Sequence, residues 1–241
     1  IIVDEAHHLP STTFTGILGH MHARYYIGLS GTLIRKDQKH VLFQDYFGSH
    51  ILKPPQSNTL DPKILVLKTD IALKTGIPWT DRITELTGRP SFQNLVADIA
   101  KIQIAKGHKV LIIADRVEFL VRLTELIGND CVTVTGAIGD RNVAKEQIET
   151  NEKKCIAGAR LIFAEGISIS PLSCVILAVP INNDSLLEQI IGRIMRLCEG
   201  KLDPEVVDIQ LGGYADRTQN TSRMGLYLRK GWEISTLDNK N

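Results

Sequence analysis

Two adjacent carboxylates stand near the start of the sequence, directly after a short apolar run. Asp4 and Glu5 follow residues 1–3, and carboxylates in this position lie at the sheet edge where parallel α/β proteins bind ligands. One can hold Mg²⁺, directly or through water, while the other orients and deprotonates a water that attacks a phosphate. Taken alone, the pair is more simply explained as an acidic helix N-cap. Zinc is disfavoured because His7 and His8 lack a second ligand pair.

Two glycine-containing turns carry hydroxyl groups after apolar runs. Ser30 and Thr32, in Gly-Leu-Ser-Gly-Thr-Leu, could relay hydrogen bonds from a nucleotide site, although such hydroxyls are also ordinary turn chemistry. Gly166 and Ser168 lie in Phe-Ala-Glu-Gly-Ile-Ser-Ile. The amides and hydroxyl of that loop can hold a phosphate of ATP or of a nucleic-acid backbone. A simple strand connection is the alternative.

The most specific pattern is the run over residues 184–197, Asp-Ser-Leu-Leu-Glu-Gln-Ile-Ile-Gly-Arg-Ile-Met-Arg-Leu. On a helix, Gln189, Arg193 and Arg196 fall within about 60° of one another. The opposite side is apolar and comprises Leu187, Ile190, Ile191, Ile194 and Met195. A solvated basic face is the bland interpretation. Two guanidiniums in one register with a glutamine instead favour contact with the oxygens of a transferring phosphoryl group.

The elements that must position these residues alternate between apolar runs and helical patterns, which predicts an α/β fold with parallel strands. The predicted strands are residues 1–3, 25–29, 64–67, 110–114, 131–135, 155–157, 174–179 and 206–211. The predicted helices are residues 12–22, 39–46, 91–106, 117–127, 142–152 and 184–197. Ser91 and Gly107 are the predicted caps of the third helix.

A run with two prolines, residues 53–58, predicts a linker between two α/β domains, residues 1–54 and 55–241. Residues 70–90 contain two glycines and two prolines and are predicted to be an irregular excursion. We predict a helical tail that packs Met224, Leu226 and Leu228. Its basic residues are predicted to be solvated, and they are Arg217, Arg223, Arg229 and Lys230.

Composition sets broad limits on function. The 241 residues are 43% hydrophobic and contain no apolar run of the roughly 20 residues that a membrane span requires. We therefore expect a soluble intracellular protein, cytoplasmic (the host cytoplasm for a phage-encoded chain) or nuclear, not secreted, whose four cysteines are buried free thiols. The net charge of +1 excludes a global attraction to nucleic acid, so that such binding requires a local groove.

In order and spacing, these motifs resemble motifs II to VI of superfamily 2 helicases. The matching segments are Asp4-Glu5-Ala6-His7, Leu29-Ser30-Gly31-Thr32, residues 110–114, Glu165-Gly166-Ile167-Ser168 and Gln189 to Arg196. The resemblance is closest to the XPB-type and phage UvsW-like DNA helicase branch, through residues 28–32, 41–46 and Phe47-Gly48. It covers roughly residues 1–197.

The resemblance implies two RecA-like domains, each a parallel sheet flanked by helices, of which the first is partial and the second nearly complete. It also implies ATP and Mg²⁺ as cofactors and DNA as the partner, with RNA left open. The activity implied is ATP-dependent movement on forked or branched DNA. Alternatives are an inactive helicase-like module that binds nucleic acid or a partner, and the ATPase motor of a restriction or repair complex.

The roles of individual residues also follow from the resemblance. Asp4 would organise Mg²⁺, Glu5 would activate water, and His7 would couple the nucleotide to Gln189. The remaining residues form three groups. Ser30 and Thr32 would transmit the nucleotide state; Gly166, Arg193 and Arg196 would lie at the nucleotide; Thr135, Gly136 and Ser168 would contact the nucleic-acid backbone.

One departure from the family pattern is the phosphate-binding loop. Gly-x-x-x-x-Gly-Lys-Ser/Thr does not occur in these 241 residues, and Gly200-Lys201 lacks the preceding glycine. Because the β- and γ-phosphates would lose their main cradle, we expect this chain alone to hydrolyse ATP poorly or not at all. We further expect that residues before Ile1, or another subunit, supply the missing part.

Overall fold

The structure is a computed structural model that describes residues 1–4, 6, 16–17, 19–30, 42–52, 59–164 and 169–239. The chain divides into two units, residues 1–56 and 57–241. Five of the predicted site residues lie outside the described residues: Glu5, His7, Thr32, Gly166 and Ser168. Residues 12–15 and 18 of the helix predicted over residues 12–22 also lie outside them.

In the first unit, two short parallel strands meet a short helix. Strand β1 is Ile2–Val3, β2 is Ile27–Gly28, and helix α1 is Leu42–Phe47. Val3 lies opposite Gly28 in the parallel register. A Cβ atom on Gly28 would lie 2.9 Å from the Phe47 ring, so the absence of a side chain at this position allows the aromatic ring to pack against the strand.

The second unit contains a seven-stranded sheet in the order β5-β6-β4-β7-β8-β3-β9, in which every neighbouring pair is parallel. Its strands are β3 Lys63–Thr69, β4 Val110–Ala114, β5 Cys131–Val134, β6 Cys155–Ala159, β7 Cys174–Leu177, β8 Glu205–Gln210 and β9 Ile234–Asn239. Its helices are α2 Trp79–Gly88, α3 Pro90–Ala105, α4 Val117–Ile127, α5 Arg141–Glu149, α6 Arg160–Ala164, α7 Asp184–Ile194 and α8 Tyr214–Lys230. This parallel sheet flanked by helices confirms the predicted fold class.

Helices cover both faces of the sheet, and the central strands are therefore apolar without alternation. All five residues of β4 are buried. Leu111 and Ile113 point into a core shared with α5, α7 and α8, whereas Val110 and Ile112 point into a core shared with α2, α3 and α4. In the second core, the rings of Phe92 and Phe119 stack with centroids 5.8 Å apart and join α3 to α4.

Local caps differ from those predicted. Helix α3 begins at Pro90, and its N-cap Arg89 makes no side-chain cap hydrogen bond, so the prediction of Ser91 as the cap was wrong. Proline is favoured here because the first helical amide has no partner within the helix. Gly107 does follow the helix end, with φ 97°. Helix α5 is capped by Asp140, which accepts hydrogen bonds from the amides of Asn142 and Val143.

Three further features correct the sequence predictions. The stretch predicted as irregular contains the ten-residue helix α2, and strand β9 in the tail was not predicted. Helix α8 does bury Leu226, but Leu228 is 68% exposed and the predicted solvated Arg223 is buried. No described helix is long and apolar enough to cross a membrane.

Candidate functional site

In the first unit, strand pairing places Asp4 and Ser30 at the same sheet edge. Asp4 follows β1 and Ser30 comes two residues after β2. The pairing extends past both strands, since the Leu29 amide donates to the Val3 carbonyl (2.8 Å) and the Ala6 amide donates to the Leu29 carbonyl (2.8 Å). The carboxyl ends of parallel strands are where such sheets bind ligands.

The donor type at this edge fits magnesium. Mg²⁺ is usually held by one or two carboxylates together with waters and substrate phosphates, and not by a cage of protein ligands. Asp4 supplies a hard oxygen ligand of that kind. Among the described residues, no group of three or more His, Cys, Asp or Glu side chains is placed to hold a metal by itself.

In the second unit, helix α7 carries the residues of the most specific motif. Asn183 caps its first turn by accepting a hydrogen bond from the Leu186 amide (3.2 Å). Its apolar side is buried as predicted, and this side comprises Leu187, Ile190, Ile191 and Ile194. Gln189 and Arg193 are half-buried on the remaining surface.

Two ion pairs join helix α8 to helix α7. Arg229 Nη2 lies 2.9 Å from Asp184 Oδ2, and Lys230 Nζ lies 2.8 Å from Glu188 Oε2. Exposed ion pairs of this type contribute little energy individually. Together with the buried apolar side they nevertheless define one orientation for the helix, and hence for Arg193.

The structure corrects the predicted length of this helix. Helix α7 ends at Ile194, and Arg196 follows in an isolated antiparallel bridge with Thr59. The Leu60 amide also donates to the Met195 carbonyl (2.8 Å). Arg196 therefore does not extend the helical face of Gln189 and Arg193, because pairing with a distant segment ends the helix first.

The predicted nucleic-acid residues lie elsewhere in this unit. Thr135 and Gly136 follow β5 at the carboxyl edge of the sheet, where α7 also begins after β7. Helix α7 then runs ten residues from its cap Asn183 to Arg193, roughly 15 Å, toward the segments that precede β3 and β8. The end of α7, with Arg193 and Arg196, therefore lies toward the opposite edge of the sheet from Thr135 and Gly136.

Thr135 and Gly136, in the loop after β5, differ in burial and in hydrogen bonding. Thr135 is buried, and its hydroxyl accepts hydrogen bonds from the amides of Ala137 (3.3 Å) and Ile138 (2.9 Å). The hydroxyl therefore shapes the loop. Gly136 is exposed, and a Cβ atom there would meet no other atom within 4 Å. This placement favours Gly136 over the Thr135 side chain as the residue that a ligand could reach.

Sequence reasoning missed an ion pair at the same edge. Asp115 directly follows β4, and Arg160 directly follows β6, with Arg160 Nε 3.0 Å from Asp115 Oδ1. The adjacent Arg116 donates to Thr84 Oγ1 (3.0 Å) and to the Thr80 carbonyl (2.9 Å). The sequence could have indicated this ion pair, because a charged residue directly follows each of the two neighbouring parallel strands.

Comparison with known proteins gives a consistent set of relatives. Residues 92–198 match the family described as "Helicase conserved C-terminal domain". A protein described as a probable helicase of Escherichia phage T5 is 41% identical over 244 residues, which cover 98% of this chain and 54% of that protein. The ATP-dependent DNA helicase uvsW of Enterobacteria phage T4 is 26% identical over 93% of this chain and 48% of its own length.

Solved structures show the same fold. The crystal structure of T4 UvsW superimposes with a TM-score of 0.58 at 19% identity, over 98% of this chain and 53% of that one. S. cerevisiae Dbp5 bound to RNA and ADP BeF3 gives a TM-score of 0.65 at 12% identity, over 98% and 59%. This chain thus spans about half the length of the proteins it resembles.

Proposed function

Because the chain contains a superfamily 2 helicase C-terminal domain and is homologous to phage helicases, we propose that the complete protein is an ATP-dependent DNA helicase or translocase that acts on forked or branched DNA. The observation that carries the proposal is α7, a helix with one buried apolar side and Arg193 on the half-buried remainder. Guanidiniums held in this way can stabilise the charge that develops on a transferring phosphoryl group.

The proposed division of labour follows the chemistry of each side chain. Asp4 would hold Mg²⁺ together with the nucleotide phosphates, and the ion would neutralise phosphate charge. Glu5 orients and deprotonates the attacking water, and His7 couples the nucleotide to Gln189. Ser30 and Thr32 pass the nucleotide state onward, while Arg193 and Arg196 contact the γ-phosphate with Gly166 beside the nucleotide.

Nucleic acid is proposed to contact a separate surface. Gly136, Ser168 and the loop that Thr135 shapes would bind the phosphate backbone, a contact that carries little sequence information. The aromatic content of 5% disfavours extensive base stacking. DNA is proposed as the substrate because the T4 relative is described as a DNA helicase.

The catalytic proposal is tested by ATPase assays on the complete protein with and without DNA. We expect Glu5→Gln to abolish DNA-stimulated turnover while DNA binding is retained, because the carboxylate acts on water and not on DNA. Unchanged turnover in Glu5→Gln would remove the assigned role. A complete protein that binds DNA without any ATPase activity would instead establish a binding module.

The substrate proposal is tested by comparing forked DNA, linear duplex, single-stranded DNA and RNA of equal length. We expect forked DNA to give the largest stimulation of ATPase and unwinding. We also expect binding to be insensitive to sequence and to weaken steeply as salt increases, since lysine and arginine contacts release counterions from phosphates. Salt-insensitive or sequence-selective binding would contradict the backbone-tracking mechanism.

A further inference from the structure

A lysine in the tight turn after helix α7 binds backbone carbonyls at the end of that helix. Lys201 Nζ donates to the carbonyl oxygens of Ile194 (2.7 Å) and Arg196 (2.8 Å). The turn is closed by a hydrogen bond from the Lys201 amide to the Cys198 carbonyl (3.3 Å). Gly200 in this turn has φ 72°, a conformation that glycine adopts without strain. Gly200 thus allows the tight turn, and Lys201 contacts the end of α7. The two residues have a structural role here, although they do not match a phosphate-binding loop.

A second segment, Thr59 and Leu60, contacts the same helix end. The amide of Leu60 donates to the Met195 carbonyl, and Thr59 pairs with Arg196. Consequently, three successive carbonyls at the helix end, those of Ile194, Met195 and Arg196, all accept hydrogen bonds. The last carbonyls of a helix have no partners within the helix, and a cation near them also interacts favourably with the helix dipole.

We propose that Lys201 is a positioning residue for Arg196. Its ammonium group donates hydrogen bonds to the carbonyls of Ile194 and Arg196, on either side of Met195. These hydrogen bonds fix the backbone at the helix end and hence the direction in which the Arg196 side chain leaves it. Lys201 itself contacts no substrate. The catalytic consequence rests on the proposed function, in which Arg196 contacts the γ-phosphate, whereas the positioning of Arg196 within this chain does not.

The charge of Lys201 can be changed by pH near neutrality. Burial lowers the pKa of Lys201 to about 8; the Cys198 thiol opposes this shift and the Arg196 guanidinium adds to it. Below pH 8 the lysine is largely charged. Above it, a neutral amine with one fewer N–H binds the two carbonyls more weakly.

The first experiment measures the order of Arg196 in the 241-residue chain by ¹⁵N relaxation of its amide and side-chain Nε, together with amide exchange at Leu60. We expect Lys201→Met to increase Arg196 motion and to accelerate Leu60 exchange at least about tenfold. Lys201→Arg should keep both near the wild-type values. Lys145→Met, at a partly exposed lysine paired with Glu149 on α5, is the matched control and should change neither.

A pH series on the wild-type chain needs no substitution and covers the case in which Lys201→Met unfolds. Arg196 motion should rise between pH 7 and pH 9 in the wild type but not in Lys201→Arg, since arginine stays charged throughout this range. Equal behaviour of the wild type and Lys201→Arg, or an Arg196 signal that does not respond to Lys201→Met, would overturn the proposal.

The second experiment measures ATPase activity of the complete protein. We expect Lys201→Met to lower kcat roughly tenfold to a hundredfold with KM for ATP within about threefold, because a misdirected arginine loses contact mainly with the transition state. Mobile Arg196 with unchanged kcat would overturn the catalytic consequence, and with it the role assigned to Arg196, while the proposed ATPase activity of the complete protein would stand. A wild-type protein without ATPase would overturn the proposed function, while the relaxation data would still decide whether Lys201 holds Arg196.

Discussion

At the residue scale, a buried ion pair joins the last helix to the sheet. Arg223 Nε donates to both carboxylate oxygens of Asp208 (3.0 Å each), and the Tyr227 hydroxyl donates to Asp208 Oδ2 (3.2 Å). Asp208 and Tyr227 are fully buried, and Arg223 is 2% exposed. In such a pair, the cost of removing both charges from water is recovered only while both partners remain.

Arg223→Met should therefore destabilise the protein by about 3–5 kcal/mol, because the Asp208 carboxylate would stay buried without its cation. Urea unfolding of the second-unit sheet, followed by circular dichroism, would measure the loss. Arg122→Met is the control, since Arg122 is half-exposed and pairs with Glu125 on the same helix; it should cost under about 1 kcal/mol. Similar costs for the two variants would contradict the assigned role of Arg223.

His108 makes the folded state sensitive to acid. Its ring nitrogen Nδ1 lies 3.0 Å from Ser173 Oγ, and the residue is 7% exposed. Burial lowers the pKa of His108 below its ordinary value of 6.5, with Glu205 opposing the shift and Lys106 adding to it. The unfolded chain thus binds the proton more tightly, and stability falls as pH decreases below about 6.5.

We expect the free energy of unfolding to drop more between pH 7.5 and pH 5.5 in the wild type than in His108→Gln, which lacks this titration. Urea denaturation at both pH values would provide the comparison. The other titrating groups are the same in both proteins, so the difference isolates His108. An identical drop in the variant would show that His108 does not contribute.

Residue chemistry explains which site residues could be anticipated. The apolar stripe that buries Leu187 and Ile190 follows from helical periodicity, and Arg193 is placed as a consequence. The buried hydroxyl of Thr135 was not foreseeable, because its two amide partners come from a loop conformation that periodicity does not encode. Lys201 was noticed only as part of an incomplete phosphate-loop pattern, since its contacts with α7 arise from tertiary structure.

At the element scale, the loop between β5 and α5 depends on one glycine but not on the other. Gly139 has φ 76°, and a Cβ atom there would lie 2.3 Å from the Thr133 carbonyl oxygen. Gly136, three residues earlier, has open space around it. The loop can therefore accept a side chain at Gly136 without a change of backbone.

Gly139→Ala should destabilise the protein by about 1–3 kcal/mol, because both the backbone conformation and the contact with Thr133 become strained. Gly136→Ala should stay within about 0.5 kcal/mol, as is usual for surface substitutions. Thermal unfolding of the two variants would test this contrast. Equal stability of both variants would contradict the described loop geometry.

Asp140 and Ser91, at the starts of two helices, give a second contrast in stability. Asp140→Ala should cost about 1 kcal/mol because it removes the acceptor for two amides at the start of α5. Ser91→Ala should be nearly neutral, since Ser91 lies inside the first turn of α3 and does not cap it. Chemical denaturation of both variants would measure the difference, and a larger loss for Ser91→Ala would contradict the helix boundary.

Element boundaries also show where sequence reasoning stops. The parallel direction of the central strands can be predicted from apolar runs such as residues 110–114, which are buried on both faces. The end of α7 at Ile194 does not follow from its sequence, because the bridge between Thr59 and Arg196 joins residues far apart in the chain. Strand β9 was missed because most of its residues are exposed at an edge, and its register comes from pairing with β3.

At the scale of the whole molecule, this chain carries only part of the proposed motor. It spans about half the length of the phage relatives, and its sequence contains no Gly-x-x-x-x-Gly-Lys-Ser/Thr loop. The residues to which the proposal gives catalytic roles belong to both units: Asp4 and Glu5 to residues 1–56, and Arg193 to residues 57–241. ATP turnover of variants in each unit therefore tests the two sets of residues separately.

The most direct test is DNA-stimulated ATPase of the complete protein with Arg193→Ala. We predict a loss of kcat of about a thousandfold, as expected for an arginine that stabilises phosphoryl-transfer charge, with DNA affinity within about threefold of the wild type. Arg122→Ala, at the half-exposed arginine of α4, should leave kcat unchanged. Equal kcat values for Arg193→Ala, Arg122→Ala and the wild type would contradict the proposed ATPase site.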